Sequence, residues 1–173
     1  MTRWRPSATG SEAWIPWIRV LAVPVALADV ALEGFPDGEG RWAWTLAAAF
    51  ALGAIALLAL RGGPPPLALA FDLLIISGFV VLYGFEPSSP VRQLFVLTAL
   101  EGAVVLERRG AVAAALASTP ALAIFEWRAA DRLDVAFAAA HVLGPVGIQL
   151  LVGLAAAALA SRRNLGSGSG EGD

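Results

Sequence analysis

Between residues 14 and 161 the chain is a succession of apolar runs, and their length governs what it can fold into. Residues 14–33, 42–60, 66–85, 90–107, 110–128 and 134–161 each come close to the ~20 apolar residues that carry an α-helix across a bilayer. Over the whole chain 58% of residues are hydrophobic and only 15% are charged, against roughly 25% charged in a soluble domain. A soluble protein of this length could not bury all six runs. The pattern predicts an all-α integral membrane protein with six transmembrane helices and short loops.

The loops carry helix breakers: EGFPDGEG, RGGPPP, EPSSP, ERRG and RAADRLD. They are short, so neighbouring helices should run antiparallel. Residues 1–13 form an N-terminal segment, 14–163 the membrane domain, and 164–173 a tail of linker composition that carries no fold information. The first run is long enough to span and reads as a retained helix, not a cleaved signal.

Arginine placement orients the bundle. Arg3 and Arg5 precede the first run, Arg61 lies in the second loop, Arg108 and Arg109 in the fourth, and Arg162 and Arg163 follow the sixth. The first, third and fifth loops hold Glu33, Asp37, Glu39, Glu86, Asp131 and Asp134, diluted by Arg41, Arg128 and Arg132. The positive-inside rule then puts both termini in the cytoplasm, and an even number of spans agrees in placing them on one side. Trp14, Trp17, Trp42, Trp44, Trp127 and Tyr83 fall near span ends, as an interfacial aromatic belt would.

Composition excludes much chemistry. There is no Cys, so no disulfide framework, thiolate metal site or thiol nucleophile is available. All 12 basic residues are Arg, which removes a Lys Schiff base. With one His and no Cys, neither a closed metal site nor a haem cofactor is expected in a monomer. P-loop, HExxH, GxSxG and dinucleotide patterns are absent, so the chain is not expected to be an enzyme. No basic patch suggests nucleic acid as a partner.

Charges inside the runs are therefore the informative residues, because each is costly in hydrocarbon. On the predicted topology Arg19, Asp72 and Glu101 all fall about 8–9 Å inside the cytoplasmic boundary. One cation shared between two acids would make that inner layer tolerable. Asp29, Arg92, Glu126 and His141 form a second layer near the outer face. Facing inward, they would line a polar vestibule open to the outside, with the only His as a ligand contact or pH-responsive group. Each layer also has a purely structural reading, as a device for helix register or as snorkelling side chains.

The sixth run reads HVLGPVGIQLLVG. Pro145 cannot donate to the carbonyl of His141, and Gly144 and Gly147 loosen the same turn and leave room for a neighbouring backbone. A bend at this point is expected. Gln149 lies farther along, displaced roughly 80° around the helix from His141. The inner half, GLAAAALASRR, is a stiff helix with a small-residue face suited to a mate in a homodimer.

From FEPSSPVRQLFVLTALEGAVVLERRG through ALAIFEWRAADRLD to HVLGPVGIQLLVGL and the closing Arg pair, the chain resembles the N-terminal membrane region of sensor histidine kinases from high-GC actinobacteria. The resemblance covers roughly residues 14–163. It implies a multi-pass input domain in the bacterial cytoplasmic membrane that senses a small-molecule or physical stimulus and signals through its sixth helix to a cytoplasmic kinase module. His141 lies in a membrane run and is not the phospho-accepting residue of such a kinase. A small transporter or substrate-binding membrane subunit is the rival reading, and a structural or assembly protein a third.

Overall fold

The structure is a computed structural model that describes residues 15–36, 38–60 and 63–166, with side chains through residue 161. The described residues are helical apart from turns and connecting segments, and no strand occurs among them. Five helical segments are long and apolar enough to cross a membrane by length and composition. They fall into two compact units, Met1–Pro64 and Pro65–Asp173.

In the first unit α1 (Ile15–Leu32) pairs with α2 (Gly40–Ala59). Helix α2 buries Ala43, Ala47, Phe50, Ala54 and Leu57. Alternate steps of four and three residues put these on one stripe, the pattern of a helix with a single partner. The turn between the helices closes through Glu33 N–H donating to the Asp29 carbonyl (3.0 Å) and Glu39 N–H to that of Pro36 (3.0 Å). Arg19 is only 5% exposed, on the face of α1 that also buries Val30.

The second unit opens with α3 (Pro65–Leu82), whose first turn takes Pro65 and Pro66 because its N–H groups need no helical acceptor. Tyr83–Phe85 tightens into a 3-10 turn, and Tyr83 stacks on Phe85 with ring centroids 5.9 Å apart. Arg128 donates to the carbonyl of Val81 (2.8 Å) and packs its stem against Gly84, where a Cβ would come within 3.0 Å of it. Tyr83 is thus 2% exposed and part of the packing, which corrects its assignment to the aromatic belt. Trp17, Trp42, Trp44 and Trp127 are exposed, as a belt requires, and Trp14 lies outside the described residues. Ser89 then accepts from Val91 N–H (3.4 Å) at the start of a second 3-10 turn, Pro90–Leu94.

The fourth and fifth apolar runs fold as α4 (Phe95–Leu133), a helix broken at one point. Leu106 (φ −124°, ψ 15°) and Glu107 (φ 55°, ψ −145°) leave helical geometry, and the chain reverses there. In a continuous helix Gly102 and Gly110 would lie about 12 Å apart. Instead their backbones touch, and a Cβ on Gly102 would come within 2.5 Å of the Gly110 carbonyl oxygen. The two limbs, 95–105 and 108–133, form a tight helical hairpin whose two-residue turn, Leu106 and Glu107, falls at the start of the expected ERRG loop.

Glu107 occupies a backbone region that glycine enters freely and other residues enter at a cost. Glu107→Gly should therefore stabilise the second unit by about 1 kcal/mol. Reversible unfolding in mixed micelles measures this, and a loss of stability would show that the Glu107 side chain holds the turn.

Limb 108–133 ends at Asp134, which caps it in a left-handed conformation (φ 53°), while Val135 N–H donates to the Ala130 carbonyl (3.0 Å). This cap corrects the predicted start of the sixth run at residue 134, since α5 begins only at Ala140. Helix α5 (Ala140–Gly166) is continuous through Pro145 and carries on through residues 164–166, which the sequence reading assigned to the tail. The rest of that tail and segment 1–13 lie outside the described residues. Helix α5 packs on the hairpin through small residues: Ala103, Ala111 and Ala157 form a buried cluster, and a Cβ on Gly153 would come within 2.8 Å of the Ala111 Cβ. Close approach therefore occurs at Gly153. At Gly144 and Gly147, where the sequence suggested it, no described atom lies within 4 Å of an added Cβ.

Candidate functional site

The second unit gathers polar residues where α5 begins beside the far end of the hairpin. His141 Nδ1 lies 2.9 Å from Glu126 Oε1. The two side chains are unequally placed, His141 at 64% exposure and Glu126 at 9%. The carboxylate is set into the wall and fixes one ring nitrogen, while the rest of the imidazole faces outward.

Arg92, on the turn before α4, reaches across to limb 108–133. Its guanidinium lies over the Phe125 ring, 5.7 Å from the centroid, a cation–π arrangement. Phe125 is buried beneath it. Arg92 is half-buried, and no carboxylate among the described residues forms an ion pair with it.

Two clefts flank this group. One, of about 320 Å³, runs from Arg92 and His141 past Val96, Pro145 and Ile148 to Gln149. The other, of about 180 Å³, lies between Arg92, Phe125, Glu126, Leu133 and His141. Gln149, at the end of the larger cleft, is 1% exposed. Its Oε1 is 2.8 Å from Ser118 Oγ on the hairpin, and Ser118 Oγ is also 2.8 Å from the Ala115 carbonyl oxygen.

Three of the four outer residues therefore come together: Arg92, Glu126 and His141. Asp29 lies in the first unit, exposed on α1. Of the inner residues, Arg19 is buried in the first unit, while Asp72 on α3 and Glu101 on limb 95–105 are half-buried in the second. Of the residues where a bend was expected, Pro145 lines the larger cleft, and Gly144 and Gly147 sit on the adjoining turns of α5, which is continuous there.

Sequence reasoning missed Phe125 as the seat of Arg92 and Ser118 as the partner of Gln149. The second had a visible signal. Gln149 is the one amide in the sixth run, and Ser118 lies in a short polar step of the fifth. Polar side chains in facing apolar helices pair because hydrocarbon offers them nothing else.

The class these features define is a helical protein with segments long and apolar enough to cross a membrane and a small polar cleft in the unit formed by α3, the hairpin and α5. No family model, curated protein or solved structure matches the chain.

Proposed function

We propose that the chain is the membrane-embedded signal-input domain of a bacterial two-component sensor histidine kinase, with six spans and both termini in the cytoplasm. The observation that carries this reading is the shared wall of the larger cleft. Arg92 and His141 sit at one part of it and Pro145 at another, on the helix that leads on to Arg162 and Arg163. A ligand seated there touches the output helix directly. It shifts that helix only through unequal affinity for two arrangements of the Pro145 turn. The reversal at Leu106–Glu107 supports counting α4 as two spans. Arginines at one set of loops and acids at the other support the orientation.

Topology is tested with reporter fusions. Those at Asp37, Ser88 and Asp131 should report outside and those at Gly63 and Arg109 inside; reversal at two or more sites overturns the orientation. The signalling role is tested by joining the chain through Arg163 to a histidine-kinase cytoplasmic module. Pro145→Ala should hold its output at one level whatever the stimulus, and a Pro145→Ala fusion that still responds refutes the mechanism. A native gene that stops shortly after Arg163 would favour the transporter reading.

A further inference from the structure

The larger cleft has chemistry at both ends and an apolar middle, and this restricts what it can hold. At one end Arg92 offers guanidinium N–H donors to an anion while its face rests on Phe125. Glu126 stands in the adjoining cleft, bound to His141. A second negative charge on the ligand would meet that carboxylate, so the site suits a single one. In the middle Val96, Pro145 and Ile148 supply aliphatic walls. At the other end Ser118 has one hydroxyl proton for two acceptors, the Ala115 carbonyl and Gln149 Oε1. Whichever it serves, Ser118 meets only one end of the Gln149 amide, and Gln149 forms part of the cleft wall. An amide 99% buried and satisfied on one side only is a feature that a ligand group would complete. From His141 to Gln149 the helix rises about 12 Å.

We propose that this cleft binds a monoanionic amphiphile: one carboxylate or phosphodiester charge at Arg92, an aliphatic body along Val96, Pro145 and Ile148, and a hydrogen-bonding group at Gln149, about two helical turns along α5 from His141. The proposal names the stimulus for the input domain inferred above and rests on that reading for its purpose. Binding itself is measured without any signalling output.

The test places the chain in nanodiscs of zwitterionic phosphatidylcholine and titrates 8-hydroxyoctanoate and octanoate by calorimetry. Both acids should bind saturably, the hydroxy acid about tenfold more tightly, as one added hydrogen bond supplies. Arg92→Gln, a change at a half-buried site, should weaken both by about tenfold or more. The paired change Ser118→Val with Gln149→Leu keeps the contact apolar on both sides and should abolish the preference for the hydroxyl. Repeating the titration in discs containing phosphatidylglycerol assigns the source. Suppressed binding means that a lipid phosphodiester occupies the Arg92 end, and unchanged binding means that a free acid is the ligand. Absence of saturable binding by either acid, equal affinity for the two, or an unaffected Arg92→Gln protein overturns the proposal. Saturable binding with an unresponsive kinase fusion overturns the input reading and leaves the site standing. A responsive fusion without binding does the reverse.

Discussion

Gly110→Ala should abolish the native second unit, whereas Gly144→Ala, the same chemical change, should be harmless. At Gly110 the new methyl would fall on the carbonyl oxygen of Gly102 and against the Cβ of Leu106. One of these obstacles is backbone, and the turn that joins the limbs is only two residues long, so neither limb can move aside without unmaking the hairpin. Typical overpacking costs ~1–3 kcal/mol because side chains shift; here the cost should exceed that range. At Gly144 nothing lies within 4 Å, so Ala should gain roughly 0.5–1 kcal/mol from helix propensity. The measurement is monodisperse, protease-resistant protein recovered in detergent. Equal recovery of the two variants would mean that the limbs do not touch at Gly102 and Gly110.

The second large effect concerns Ser118. Ser118→Val removes the hydroxyl and leaves the buried Gln149 amide without its partner. A buried polar group stripped of its hydrogen bond costs about 1–3 kcal/mol, and the dry surroundings here favour the upper part of that range. Adding Gln149→Leu removes the stranded amide, so the double variant should recover most of the loss. Unfolding of the wild type, both single variants and the double variant forms a complete thermodynamic cycle. Additive losses would show that the pair does not interact.

The all-helical class, the apolar segments long enough to cross a membrane and the candidate charges were legible because bilayer physics writes them into composition. An apolar run near 20 residues has few alternatives, and an acid inside it stands out. The meeting of Arg92, Glu126 and His141 was legible for the same reason, since equal depth on neighbouring helices restricts where they can go. The turn between the fourth and fifth runs was not. LERRG reads as an ordinary polar loop, and nothing local says that Glu107 is the residue of this turn that takes a positive φ. Gly102 and Gly110 flank that loop and could have marked a close crossing, but glycine is common throughout this chain, 18 in all. Gly144 and Gly147 drew attention because they sit beside Pro145, yet the crossing falls on Gly153. Which of several small residues meets a neighbouring helix depends on helix rotation, and that is set by the packing of α3, both limbs of the hairpin and α5 together. Tyr83 was misplaced for a related reason: a span-end aromatic can face lipid or fold back on its own bundle, and Phe85 stacked on it offered the second.

The short arm of the hairpin bears on how the protein is made. Residues 90–105, a 3-10 turn followed by a helix, reach only about 26 Å, less than the ~30 Å of a bilayer's hydrocarbon. That arm also carries Glu101 and has little apolar length to offset it. On the proposed topology it has no favourable way to enter the membrane by itself during synthesis. Limb 108–133 supplies the missing apolar surface, and the two-residue turn binds it to the short arm from the moment both are synthesised. On that topology the pair enters as one object, and the orientation of the proposed fourth span is inherited from the proposed fifth.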